Sequence, residues 1–357
     1  MRPSEEHIKL LQVDRLLSNK IMTLKNEPRY SKEIQYYFNK LPKPYSKRPM
    51  DQRYDSVLNT ISGLWVGSNK SPSIFKDVKD FEPLLQRLPN YRDHFIHSFN
   101  VFLIGYYLIN RIYELNNRFN FRVNDLNLTW MLASTFHDVA YPLQEIDNWL
   151  NEFLKKFLGA GPTFSLNIMD YLPLIYQNIL NMISSWHINP VDLKTNLNIE
   201  DWEIYNEISS SLIKKDHGVL GGLMLAYLLA IKERFGTEDR WGFLINHRPA
   251  CHAICVHHLK SIPIRLTNHP FSFILSLCDE LQDWGRPSKK KNNDVLYLSD
   301  ILLHHHGEKI YIEISVDASN PKKQKLVSAL SNLRSGEEFK IKLKDINGDV
   351  FFEMNSE

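Results

Sequence analysis

The chain has 357 residues, enough for one large domain with one or two appendages. Hydrophobic residues make up 43% and charged residues 24%, the proportions of a soluble globular protein that can bury a core without disulfides. A formal net charge of +2 excludes a global field that would gather nucleic acid or anionic membrane.

The opening segment, MRPSEEHIKLLQVDRLL, is charged and contains no apolar signal core. The longest apolar run, Val219–Ile231, is broken by two glycines and falls short of the roughly 20 residues that span a bilayer. The three cysteines, Cys251, Cys255 and Cys278, have no framework spacing, which fits a reducing compartment. A soluble, cytoplasmic protein with no membrane partner is expected. Cys251 and Cys255 stand one helical turn apart among histidines. A zinc site there is conceivable, but buried thiols on a helix are the expectation.

Residues 1–74 read as a helical extension with a Pro-rich break at Leu41–Tyr45. Lysine and arginine are frequent here without the dense basic and aromatic clustering of a nucleic-acid arm. Nucleic acid is therefore not indicated as a partner, and a solvated extension packing on the main domain is expected. From 75 to 288 the pattern is helical: Phe95–Asn116, Asn127–Asp138, Gln144–Leu158, Tyr171–Trp186, Gly218–Arg234 and Pro270–Trp284 are apolar on one face or all round. The stretch of about 145–212 holds Gly159-Ala-Gly-Pro162 and Asn189-Pro190 and reads as an inserted helical subdomain or lid. Arg286–Asp294, with three lysines, reads as a solvated linker. Beyond it, 295–357 reads as a small α+β unit of ββαββ order. Its expected strands are Val295–Leu303, Lys309–Val316, Phe339–Leu343 and Val350–Met354, with a helix at Lys322–Leu333 and a hairpin at Asn347-Gly348. His304-His305-His306 is expected to sit exposed in the first hairpin turn. The fold class is mostly α with this appendage, and the composition break at 287–294 implies that the appendage can be removed without loss of the core's site.

The chemistry lies in an ordered set of histidines and aspartates. His97 stands in the segment that opens one apolar helix, and His137-Asp138 ends another. His217 precedes Gly218, Gly221 and Gly222, small residues that let its helix approach a centre closely. His257-His258 follows the apolar Ala253–Val256, and Asp279 interrupts Leu275–Leu281. Burying His or Asp without a partner costs on the order of 1–3 kcal/mol per group. Several such groups in one core need a common partner. A divalent metal supplies it, since imidazole and carboxylate together suit Mn, Fe, Ni or Zn, with Mg also compatible. Asp93 stands four residues before His97 and is expected to hydrogen-bond near the site rather than bind metal. His94 is expected to be a structural neighbour, and His247, His252 and His269 surface or core residues.

The order His … His-Asp … Asp on helices resembles the HD-domain superfamily of metal-dependent phosphohydrolases, over roughly residues 90–287. The resemblance implies an HD-type helical core with metal ligands His97, His137, Asp138 and Asp279. It also implies two further ligands in a binuclear centre, His217 and His257, with His258 competing for the last place. The activity implied is hydrolysis of a nucleotide or other phosphate ester, as a phosphodiesterase or nucleotidase, through a metal-activated water. Asp138 and His137 would be its catalytic residues, with Asp138 bridging two metals. Arg92, Lys260 and Arg286 are the substrate-phosphate candidates by sequence proximity. The His-His-Glu and Gly-Tyr-Pro elements of the branch that hydrolyses cyclic-di-GMP are absent, and Val139-Ala140-Tyr141-Pro142 stands where the family has glycine and lysine. Those departures point away from cyclic-di-GMP. Two alternatives stay open: an HD-fold di-iron oxygenase, and a non-catalytic nucleotide-sensing module. A homo-oligomer is compatible with all of these.

Overall fold

The computed structural model describes residues 5–24, 30–41, 49–64, 76, 79–80, 82, 93–117, 119, 121, 125–158, 199–213, 216–230, 240–284 and 295–356. The described chain is mostly helical, with a small C-terminal sheet of mixed strands. Among the described residues no helix is long and apolar enough to cross a membrane.

The centre of the fold is a group of helices with little polar surface. In α4 (Phe95–Leu115) sixteen residues are buried, so its neighbours must cover it on nearly all sides. Its start is fixed by Asp93, whose carboxylate accepts from the Ile96 amide at 2.8 Å. Helix α5 (Leu126–Phe136) begins on Asp125, which accepts from the Leu128 amide at 2.9 Å, and ends at His137. A turn over 137–140 leads into α6 (Tyr141–Leu158), with Pro142 in its first turn, where proline loses no helical hydrogen bond. After α7 (Ile199–Ile213), Asp216 accepts from the Val219 amide at 3.1 Å and starts α8 (His217–Ala230). Helix α9 (Arg240–Val256) carries an internal Pro249, and α10 (Pro270–Leu281) opens on a proline. Helices α4, α5, α9 and α10 pack on one another, and α8 lies along α9.

Of the expected insert, 145–158 continues α6 and 199–212 lies in α7; the expected helix Tyr171–Trp186 is outside the described residues. Helix α6 also starts three residues earlier than the pattern suggests, directly after the His-Asp turn.

The N-terminal segment forms α1 (Glu5–Met22), α2 (Ser31–Lys40) and α3 (Pro49–Leu64). It packs on the helical core and also on the C-terminal sheet. Val13, Leu17 and Ile21 are buried, and α1 contacts both α4 and the first strand of the C-terminal sheet. Arg53 of α3 binds Asp14 of α1 at 2.8 Å and Tyr37 of α2 at 3.2 Å, all buried.

The C-terminal unit contains β2 (Tyr297–His306), β3 (Lys309–Asp317), α11 (Asn320–Ala329), β4 (Leu333–Arg334), β5 (Phe339–Asp345) and β6 (Val350–Glu353). The sheet order is β2-β3-β5-β6, antiparallel except for the parallel β3–β5 pair that α11 connects. Gly348 in the β5–β6 hairpin has φ +87°, as a tight Asn-Gly turn requires. The three histidines are not in the turn. They form the end of β2, and Gly307-Glu308 makes the turn. His304 stacks on Tyr311, and His305 donates to the Leu115 carbonyl at 2.7 Å, tying the strand to the end of α4.

The C-terminal unit also makes hydrogen bonds to the helical part. The short strand β1 (Ile264–Arg265) of the helical part pairs in parallel with β4. Buried Asn332 donates to the Leu259 and Ile262 carbonyls, both at 3.1 Å. The Leu296 amide donates to Asp283 at 3.1 Å. The loop that follows His257-His258 is therefore held by the C-terminal unit.

Candidate metal centre

The six histidines and aspartates expected as ligands come together from five elements. Helix α4 brings His97, the end of α5 brings His137 and Asp138, and α8 brings His217. His257 follows α9 directly, and Asp279 sits in the last turn of α10. Helix α8 can bring His217 close because Gly218 faces the end of α9. A Cβ there would lie 2.8 Å from His257 Cε1 and 2.8 Å from the Ile254 carbonyl.

Two groups form around one shared carboxylate. In the first, His97 Nε2 lies 2.8 Å from Asp279 Oδ1 and 3.2 Å from His137 Nε2. Both imidazole nitrogens are 3.6 Å from Asp138 Oδ2. In the second, His217 Nε2 lies 3.5 Å from Asp138 Oδ1, and His257 and His258 stand beside it. His97, His137 and Asp138 place their donor atoms within 4.8 Å of one another, as do Asp138, His217, His257 and His258, so Asp138 belongs to both groups. His258 Nε2 is also 3.7 Å from Asp279 Oδ2. His257 and His258 therefore both reach the centre; the choice between them does not arise.

Four of the imidazoles are tethered in the same way. His137 Nδ1 donates to the Ser134 carbonyl at 2.7 Å and His257 Nδ1 to the Ile254 carbonyl at 2.6 Å. His217 Nδ1 meets the Gln144 side-chain oxygen at 2.7 Å. His97 Nδ1 meets the Gln282 side-chain oxygen, while the Gln282 amide nitrogen donates to the Trp284 carbonyl at 2.6 Å. A hydrogen bond from Nδ1–H to a carbonyl assigns a proton to that nitrogen and leaves Nε2 facing inward, a donor when the ring is charged and a lone pair when it is neutral. The four Nε2 atoms thus face the centre, where those of His97 and His137 lie beside the carboxylates of Asp138 and Asp279.

The electrostatics follow from this crowding. Burial alone would lower the His137 imidazole, but Asp138 and Asp279 override it and lift it to about 8. Burial would raise Asp138, but His137, His94 and His217 hold it well below the usual carboxylate range. Asp279 is held down likewise, against burial, by His137 and His97. Burial pushes His257 and His258 down to about 3, helped by the neighbouring imidazoles, so both stay neutral with a lone pair available.

This donor set fits a divalent metal. Ligand atoms around one ion with bonds of roughly 2.0–2.1 Å stand roughly 3.0–3.4 Å apart, close to the separations in the first group. Two imidazole nitrogens facing each other at 3.2 Å have either a proton or a metal ion between them. His257 Nε2 is buried without a hydrogen-bond partner, a cost of about 1–3 kcal/mol unless it serves as a ligand. The cluster is compatible with an HD-type site.

Several residues support the centre without having stood out in the sequence. His94 Nδ1 lies 2.6 Å from Asp138 Oδ2, on the carboxylate shared by both groups. The Tyr141 ring lies between His94 and His217, at 4.3 and 5.3 Å. Gln144 and Gln282 hold His217 and His97 as described. Asp93 caps α4 and accepts from the Tyr54 hydroxyl, so it does not share a helical face with His97. The three cysteines are buried, and burial raises their thiols, which argues against thiolate ligands. Lys260 does not face the centre freely: its ammonium binds the Ala329 carbonyl and lies 3.8 Å from Glu280. Arg92 and Arg286 lie outside the described residues.

No known family matches the chain, nor does any curated protein or solved structure.

Proposed function

We propose that the protein is a metal-dependent phosphohydrolase of HD type, acting on a nucleotide or another phosphate ester and holding two divalent transition metals. The observation that carries this reading is the common tether of His97, His137, His217 and His257. Each is fixed through Nδ1 to a carbonyl oxygen, with Nε2 turned towards Asp138 and Asp279. Orientation of this kind is how proteins prepare imidazoles for metal.

His97, His137, Asp138 and Asp279 would hold one ion, and Asp138, His217, His257 and His258 the other. A divalent metal there supplies Lewis-acid chemistry, making water nucleophilic near neutral pH and offsetting phosphoryl charge. The chain's own part is positional. His94 fixes the rotamer of the shared carboxylate through its hydrogen bond to Asp138. Buried His97, His137 and His257 keep bulk water from the inner side, leaving the partly exposed Asp279 and His258 as the open edge. Charge developing at that edge meets fixed dipoles in a site that needs no rearrangement.

The test is phosphate release from a panel of nucleotides and simple phosphate esters, with the protein reconstituted in Mn²⁺, Fe²⁺, Ni²⁺, Zn²⁺ or Mg²⁺. Hydrolysis of at least one ester is expected, abolished by chelation and by Asp138→Ala. Metal-replete protein that hydrolyses none of them, but consumes O₂ with an organic substrate, would replace the reading with the oxygenase one.

A further inference from the structure

We infer that Lys325, on α11 of the C-terminal unit, is the anion-binding residue of the cleft at the metal centre, so that the substrate carries a second anionic group beyond the phosphoryl group being hydrolysed. The inference rests on the phosphohydrolase reading of that centre.

A cleft of about 180 Å³ opens where the helical core meets α11. His258 and Asp279 of the metal centre line it, and so do Lys322 and Lys325. Glu280 and Asp283 line it too, and each has a lysine other than Lys325 within 4 Å. Lys322 lies 2.7 Å from Asp283, and Lys260 lies 3.8 Å from Glu280. Asp279 lies 2.8 Å from His97 Nε2. Lys325 is exposed and makes no ion pair among the described residues, although its charge is felt at Glu280. An unpaired ammonium at one wall and metal ligands at the other give two anchor points for anionic oxygens. A lysine ammonium is a compact charge that binds phosphate without demanding one orientation.

The size of the cleft narrows the ligand further. Pockets that enclose a whole small molecule measure roughly 300–1,000 Å³. This cleft falls short of that range, so it accommodates a diphosphate-sized group and leaves the organic remainder outside. A phosphoric anhydride, or an ester bearing a neighbouring phosphate, has that shape and charge. The C-terminal unit thereby becomes one wall of the active site.

The experiment uses the full-length chain loaded with Mn²⁺, methylenediphosphonate as a diphosphate that resists hydrolysis, and inorganic phosphate as the single-anion comparison. Binding is measured by calorimetry, and metal content by elemental analysis. The wild type should bind methylenediphosphonate at least tenfold more tightly than phosphate. Lys325→Gln should lose about tenfold in diphosphonate affinity, the scale of one charge-assisted hydrogen bond, with phosphate affinity and metal content unchanged. Lys325→Arg should restore the preference. Equal diphosphonate binding by wild type and Lys325→Gln, or no preference in the wild type, overturns the inference and leaves the phosphohydrolase reading standing. A chain that takes up no metal overturns that reading, and the inference with it.

Discussion

The candidate metal centre depends on a close crossing of α4 and α5, because one carries His97 and the other ends at His137. Gly105 of α4 lies under the Trp130 ring of α5. A Cβ added at Gly105 would stand 1.9 Å from Trp130 Cζ2, 2.4 Å from Cε2 and 2.7 Å from Cη2. The ring has no room to swing, since Trp130 is fully buried and its Nε1 donates to the Phe102 carbonyl at 2.9 Å. In Gly105→Ala the helices must part or the indole must leave its site. Overpacking costs about 1–3 kcal/mol, and a clash this deep belongs at the upper end. Loss of the indole hydrogen bond adds about 1 kcal/mol, and replacing a helical glycine with alanine returns about 1 kcal/mol. A net loss of about 2–3 kcal/mol is expected, together with weaker metal binding as His97 moves from His137. The assay is denaturant unfolding in a double-mutant cycle with Trp130→Phe, which deletes the clashing ring atoms. The double variant should be more stable than the sum of the single effects by about 1–2 kcal/mol. Gly105→Ala that is as stable as the wild type, with no coupling to Trp130→Phe, would refute the reasoning.

Three further outcomes are expected. Burial holds the His247 imidazole near 4, against roughly 6.5 in an unfolded chain, so the unfolded state binds more protons between those values. The stability at stake is complete above about pH 6.5 and is lost as pH falls towards 4. His247→Gln should flatten the fall by roughly 3 kcal/mol at most, and an unchanged pH profile in urea unfolding would contradict this. Asn332→Ala leaves the Leu259 and Ile262 carbonyls without their donor and should cost about 1–3 kcal/mol while loosening metal at His257 and His258; a variant with wild-type stability and metal affinity would show that the loop holds its own shape. Arg53→Leu strands buried Asp14 and should cost about 3–5 kcal/mol, read from the denaturation midpoint, whereas a loss below about 1 kcal/mol would mean that Asp14 takes up a proton at little expense.

The metal groups were legible where a polar residue broke an apolar helical pattern. His137-Asp138 ends α5 and Asp279 interrupts α10, and each interruption needs a reason to be buried. The tethers were not legible. Gln144 lies 73 positions from the histidine it holds and Gln282 lies 185 positions from His97, and each sits in ordinary polar surroundings. The parallel pair β1–β4 escaped because two-residue strands carry no alternation to read. That omission made the C-terminal unit look separable, although β4 and Asn332 hold the loop after His258. Lys260 is near the His-His pair along the chain, but its ammonium is bound to the Ala329 carbonyl. The cleft that His258 and Asp279 line is bordered by Lys322 and Lys325, more than sixty residues after Lys260, because α11 contacts α10. The three-histidine run looked like a turn because Gly307 follows it, yet the strand continues to His306 and the turn needs only Gly307-Glu308.

Elemental analysis of purified protein decides whether Asp138 is shared by two metal groups. The wild type should carry two divalent metals per chain. His97→Ala and His217→Ala should each retain one, and Asp138→Ala should retain neither at stoichiometric occupancy. A wild type with a single metal that His217→Ala keeps would contradict the binuclear centre, and a wild type with no metal after reconstitution would contradict the account as a whole.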